Sequence, residues 1–326
     1  MATRSLPDVL DLTQEPRLTP TAEAPSPRPT PGASRLRKLL AESLEQEAED
    51  VVAAGSLGYM SRVLVQTTLP HLDIKAPLFT RSNGIITLTI VGSEGIPFGG
   101  MPRLLIAWLC TEAVRTKSPQ LALGRSRNEF MGKLGLPQDG ASATRLSKQA
   151  LRLFTSLVTV KQERPVQGGL DVRNLLIADS AQALWNPKRP DERSLWETQL
   201  TLSNGFFSDV VAHPVPINLE VLRTLRQSPM AMDIYCWLGY RVFLLRAAGR
   251  PSVTIPWEAL KLQFGSGFED SAEGLKGFRR SFAKRLKEAL LFYREAKVDV
   301  SPQALRVFSS PLAVPYTGKA RLARVS

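Results

Sequence analysis

The 326-residue sequence has two cysteines, two histidines and no apolar run near the roughly 20 residues that span a bilayer. Each shortage removes a class of function. Cys110 and Cys236 each lie in an apolar stretch close to a tryptophan. They read as small buried hydrophobes of a reducing compartment, not as a disulfide or metal pair. His71 and His213 are the only histidines, each beside a proline, so zinc lacks ligands and a rolling-circle nicking enzyme lacks its His-x-His pair. Local packing or a surface turn is the role expected of both. No G-x-x-x-x-G-K-[ST] phosphate loop and no serine nucleophile elbow occur, which argues against a P-loop helicase and a serine hydrolase. The segment "AKVDVS" offers a lone carboxylate between apolar residues, the pattern of a strand and not of a metal site. No signal-peptide core opens the chain. The expectation is a cytoplasmic, non-enzymatic protein without metal, cofactor or membrane.

What the sequence has in excess is positive charge. Forty-two Lys and Arg against thirty Asp and Glu leave a net charge of +12 and a pI near 10.0. Such a surplus favours a polyanion, either nucleic acid or an acidic membrane surface. The length accommodates two domains, and 43% hydrophobic residues is ordinary for packed cores.

Residues 1–34 hold seven prolines and few large apolar residues, which predicts a disordered tail. Residues 35–56 are expected to be a helix or linker. Their basic start and acidic end oppose the helix dipole, so the helix needs docking or a partner. Residues 57–212 then read as a first domain and 213–326 as a second. In the first, "LFTRSNGIITLTIV" alternates around Asn83-Gly84, a hairpin signal. A helix from about Pro102 to Thr116 follows, then a short helix capped by Ser126, then a third, "SATRLSKQALRLFTSL", and strand-like "LVTVKQER" and "VRNLLIADS". Three helices followed by a hairpin is the order of a winged helix. Residues 230–310 repeat that order with "KVDVS" and "ALRVFSS" as the strands. Phe130, Leu134 and Gly135 match Leu260, Phe264 and Gly265 at a shift of 130, while Leu146, Ala150, Leu153, Phe154 and Leu157 match Phe282, Leu286, Ala289, Leu290 and Tyr293 at 136. The fold class expected is α+β, two tandem winged-helix units behind a Pro-rich tail.

On a helical wheel, Leu275, Phe278, Phe282, Leu286, Ala289, Leu290 and Tyr293 share one side of the 273–293 helix. Lys276, Arg279, Arg280, Lys284 and Lys287 share the other, a positive ridge that fits a major groove about 12 Å wide. In the first unit, Arg145, Lys148, Gln149 and Arg152 lie opposite Leu146, Ala150, Leu153 and Phe154. These nine residues are the candidate DNA contacts. The second unit, with the denser charge, is expected to read sequence. The 102–116 helix is apolar on several sides and must be covered by the 79–90 hairpin or by a second subunit. The first unit is therefore expected to combine DNA contact with self-association, as a homodimer, around Ile86, Leu88 and Leu105.

The segments "GYMSRVLVQTTLPH", "FTRSNGIITLTI" and "IPFGGMPRLLIAWLCTEAVRTKSPQLALGRSRNEFMGKLGL" resemble the RepA-type plasmid replication initiators. The likeness continues in "WETQLTLSNGFFSDVVAHPVPINLEVLRTLRQSPMAMDIYCWLGYR" and covers about residues 57–310. It implies winged-helix units that bind short direct repeats, iterons, in double-stranded origin DNA. It further implies opening of AT-rich DNA, recruitment of the host replication initiator and helicase, and a bacterial cytoplasm. The Pro-rich leader lies outside it. A transcriptional repressor with the same DNA-binding physics is the alternative, and a nucleic-acid enzyme with an unrecognised metal site the third reading.

Overall fold

The computed structural model describes residues 35, 38, 39, 55–164, 169–181 and 198–314. The tail expected at 1–34 lies outside them, as does most of the segment 35–56. Of that segment, Arg35, Lys38 and Leu39 are helical, and Leu39 is buried in the core.

The first half begins with β1 (Leu57–Ser61) and the short α1 (Arg62–Gln66), then β2 (Leu78–Ser82) and β3 (Ile86–Gly92). β2 and β3 form the hairpin expected around Asn83-Gly84. Gly84 takes a φ of 89°, and the Asn83 carboxamide oxygen accepts from the Ile85 and Ile86 amides at 3.0 and 2.8 Å. Next come α2 (Gly100–Thr116), β4 (Gln120–Gly124), α3 (Arg127–Lys133) and α4 (Gly140–Phe154). Ser126 caps α3 by accepting from the Glu129 amide at 3.1 Å, and Asp139 caps α4 by accepting from the Ser142 amide at 2.7 Å. Strands β5 (Ser156–Arg164), β6 (Gly169–Leu176), β7 (Ala178–Ala181) and β8 (Thr198–Leu202) complete this half.

The second half holds α5 (Asn204–Ala212), β9 (Pro214–Asn218), α6 (Leu219–Leu225), α7 (Pro229–Ala247), β10 (Ser252–Pro256), α8 (Trp257–Phe264), α9 (Ala272–Leu290), β11 (Val298–Val300) and β12 (Ala304–Phe308). The order α7-β10-α8-α9-β11-β12 closes on a sheet ordered β10-β12-β11. In the first half, α2-β4-α3-α4 is followed by a sheet ordered β4-β8-β7, the same arrangement. Between α4 and β7 stands an extra hairpin, β5–β6, where the sequence suggests the wing of the first unit. It joins β2 and β3 instead, in a sheet ordered β2-β3-β5-β6. The side-chain pattern explains why: Leu88 faces Val160 and Ile90 faces Val158 in register, and all four are buried on the sheet's inner face.

The outer face of that sheet is open. One row runs across all four strands in register, Leu78, Val91, Leu157 and Leu176, exposed by 54, 45, 42 and 40%. Thr80, Thr89, Thr159 and Asn174 form the next row, and Thr159 donates to the Asn174 carboxamide oxygen at 2.8 Å. Ile86, Leu88 and Leu105, the residues expected to mediate self-association, are instead core residues. The apolar α2 is enclosed by β1, β4, α4, α5, α6 and α7 of its own chain.

A buried charged cluster joins the halves. The Arg103 guanidinium in α2 is 1% exposed, and each of its five N–H groups donates. Nε and Nη2 bond the Asp233 carboxylate of α7 at 2.7 and 2.6 Å. The rest go to the carbonyls of Leu69 (2.7 Å), Pro70 (3.2 Å) and Gly99 (2.7 Å). His71 Nε2 donates to the same carboxylate at 2.8 Å, so this histidine sits in the interior. Nearby, Thr68 Oγ1 donates to the Gln263 carbonyl at 2.8 Å and Gln263 Nε2 to the Val65 carbonyl at 3.0 Å. A Cβ on Gly100 would stand 1.9 Å from the Arg226 carbonyl oxygen, a close approach of backbones that requires glycine.

Candidate nucleic-acid interface

α9 is seated by aromatic packing. Phe282 makes edge-on contacts with Trp237, Trp257 and Phe264 at 6.5, 5.8 and 5.3 Å between ring centres, and Phe278 adds Phe268 at 5.6 Å. Such pairs contribute about 0.5–1.5 kcal/mol each beyond the area they bury. They pin α9 against α7 and α8 and leave its far side in solvent. On that side Lys276, Arg280, Lys284 and Lys287 are exposed. Their spacing places them within an arc of about 80° and over about 16 Å of helix axis. Lys276 also approaches Glu273 at 3.6 Å. Arg279 is half-buried, and its Nη1 donates to the Pro302 carbonyl at 2.6 Å, in the turn between β11 and β12. At the far end Glu288 is buried between Arg285 (2.5 Å) and Arg35 (3.7 Å).

α4 presents less charge than its wheel suggests. Arg145 and Lys148 are exposed, and Arg145 Nη2 reaches the Ser142 hydroxyl at 3.2 Å. Gln149 is 6% exposed, and its carboxamide oxygen accepts from the Phe98 amide at 2.9 Å. Arg152 donates to the Ile96 carbonyl at 3.2 Å, pairs with Asp73 at 3.4 Å and lies over the Phe98 ring at 5.2 Å. Both side chains are spent holding the loop 95–98, so two of the four residues expected at this face are turned inward.

The sequence profile of the plasmid-encoded RepA proteins matches residues 96–259. The chain belongs to that family. Its members are plasmid replication proteins and not enzymes. No curated protein matches the chain. Solved structures are similar at low identity, among them two of one protein. Domains 2 and 3 of RctB match at 11% identity and a TM-score of 0.45, covering 76% of this chain and 95% of that one. The selenomethionine form of the same RctB domains matches at 10% and 0.43 with the same coverage.

For a plasmid replication protein of this family, the electrostatics of the described residues are simple. Among the described residues no helix is long and apolar enough to cross a membrane, and no group of three or more His, Cys, Asp or Glu could hold a metal ion. Both cysteines are buried, and burial pushes their thiols well above the usual range. Sequence reasoning missed the anchoring of the β11–β12 turn. Besides Arg279, Trp257 Nε1 donates to the Ser301 carbonyl at 3.0 Å. A tryptophan just after the β10 proline was the available signal. Its indole N–H needs a partner once the ring is buried.

Proposed function

We propose that this plasmid RepA protein is a replication initiator of the bacterial cytoplasm that binds iterons in origin DNA through two winged-helix units. In this reading α2-β4-α3-α4 with β7 and β8 is the first unit, and α7-β10-α8-α9 with β11 and β12 the second. The observation that carries it is the stripe Lys276, Arg280, Lys284 and Lys287, which faces solvent opposite the buried Phe278, Phe282 and Leu286. α9 enters the major groove, the β11–β12 turn held by Arg279 flanks the backbone, and α4 adds contacts from Arg145 and Lys148. Recruitment of the host initiator and helicase follows from bound, opened DNA and requires no catalysis by this chain.

A second copy docks on the open sheet face. Lys161 and Glu163 are the charged side chains among its outward positions, so this face carries no net charge of its own although the chain carries +12.

Titration of a labelled origin duplex between 50 and 200 mM salt tests the DNA reading. Four phosphate contacts from α9 predict a slope of log K against log salt of about −3.6 or steeper. Arg280→Ala or Lys284→Ala makes the slope shallower by about one each. A flat response refutes the reading. Replication of a selectable circle carrying the gene and its flanking DNA separates an initiator from a repressor.

A further inference from the structure

Arg103 and Asp233 are 130 residues apart, and 130 is the sequence shift that matches Phe130, Leu134 and Gly135 of the first unit to Leu260, Phe264 and Gly265 of the second, ahead of the third helices, which match at 136. Under it α2 (Gly100–Thr116) maps onto residues 230–246 of α7, and α3 (Arg127–Lys133) onto 257–263 of α8. The two opposite charges therefore occupy the same position of the repeat and bond one another. Contact between equivalent positions is the mark of a two-fold relation between units, as in an isologous interface. In a true homodimer the position would place one residue type against itself. Here it carries a base on one side and an acid on the other, at the point where the two units cross.

We infer that the Arg103–Asp233 clip is a positioning device that sets the spacing and rotation between the two DNA-reading helices, and with it the internal spacing of the DNA site. α2 packs on α4, and α7 packs on α9, so the clip joins the helices on which both reading helices ride. Five bonds on one planar guanidinium fix its orientation as well as its position. The Thr68–Gln263 and Gln263–Val65 bonds add a second point of attachment, which opposes rotation about the first. DNA geometry makes that rigidity matter. One added base pair moves the far contact by about 3.4 Å and turns it by about 34° around the duplex. A rigid junction cannot follow both changes, whereas a loosened one can.

The inference rests on the two-unit DNA reading, and one experiment separates their failures. Full-length protein is used to select bound molecules from a random duplex library, in wild type, Asp233→Asn, Arg103→Lys and Thr68→Val. Wild type should return two sequence blocks at a single separation. Asp233→Asn and Arg103→Lys should return the same blocks with separations spread over two or more base pairs. Inserting one base pair in a selected site should cost wild type about tenfold or more in affinity and those variants about threefold or less. Thr68→Val, which removes a single junction bond and leaves the clip intact, should fold normally and broaden the distribution by about one base pair. A clip variant that misfolds in a melting scan leaves Thr68→Val to decide. Identical single separations in every folded variant overturn the positioning role while leaving DNA reading intact. A single block from wild type overturns the two-unit reading itself, and the positioning role with it.

Discussion

Replacing Asp233 by alanine is expected to be among the most damaging single changes in this protein. Asp233 is buried and supplies the acceptors for two of the five Arg103 donors and for His71. Its loss leaves a guanidinium charge in the interior with Nε and one Nη2 hydrogen unmet. Breaking a buried pair in this way costs about 3–5 kcal/mol, against a total stability of about 5–15 kcal/mol. At about 2–4 °C per kcal/mol, the melting temperature should fall by about 10 °C. Replacing the pair together, Arg103→Met with Asp233→Leu, removes the stranded charge and should recover most of that loss. The same cluster predicts acid sensitivity. Burial lowers the pKa of His71 below its ordinary 6.5, more than the neighbouring Asp233 raises it. The unfolded chain therefore binds a proton that the folded one refuses, and stability falls as pH drops below about 6.5. Asp233 is driven up by burial but held below 3.8 overall by the Arg103 charge and by hydrogen bonds from His71 and Arg103. Its contribution is present above pH 3.8 and is lost on further acidification. Scanning calorimetry from pH 8 to pH 4 reads the His71 effect, and its extension to pH 2 reads that of Asp233. An Asp233→Ala protein that melts within about 2 °C of wild type would refute the account of the clip.

Two further outcomes divide the face of α4 and the open sheet. Lys148→Ala should reduce the salt slope of DNA binding by about one and leave the melting temperature unchanged. Arg152→Ala should do the reverse, because it releases Asp73, the Ile96 carbonyl and the Phe98 ring, at about 1–2 kcal/mol. Val91→Glu and Leu157→Glu, in the exposed apolar row, should hold the protein monomeric in sedimentation at concentrations where wild type associates. Leu72→Glu, an isolated exposed leucine elsewhere, should have no effect. Association that survives both row variants would place the contact elsewhere.

The elements legible in the sequence were those specified by neighbours in the chain. The hairpin at Asn83-Gly84, the capped helices after Ser126 and Asp139, and the amphipathic α9 all carry their signals within a few residues. What escaped was specified by partners far away. β1 pairs with β9 across more than 150 residues, and neither strand alternates strongly enough to declare itself. The β5–β6 hairpin was recognisable as strands, but its sheet was not, because membership depends on Val158 and Val160 meeting Ile90 and Leu88. α2 shows a similar limit. A helix apolar on several sides must be covered, yet the sequence offers no means of telling a second subunit from six other elements of its own chain.

The contrast between α9 and α4 shows what a helical wheel can and cannot decide. A wheel fixes each side chain's angle from the helix's own buried stripe, and for α9 that angle is enough. Ser271 caps α9 by accepting from the Gly274 amide, the loop before it packs Phe268 on the buried Phe278, and the Pro302 carbonyl of the β11–β12 turn accepts from Arg279 at the edge of the basic face. For α4 the same angle misleads. Residues 95–98 come back along the flank of the helix, and the loop's backbone N–H and C=O groups need partners there. Gln149 satisfies the Phe98 amide and Arg152 the Ile96 carbonyl, so polarity that reads as a solvent face is consumed in seating a loop. Long polar side chains opposite a core serve equally well for contacting a phosphate or an adjacent backbone. Only the path of the neighbouring chain distinguishes the two, which is why Arg145 and Lys148 stay on the proposed DNA face and Gln149 and Arg152 leave it.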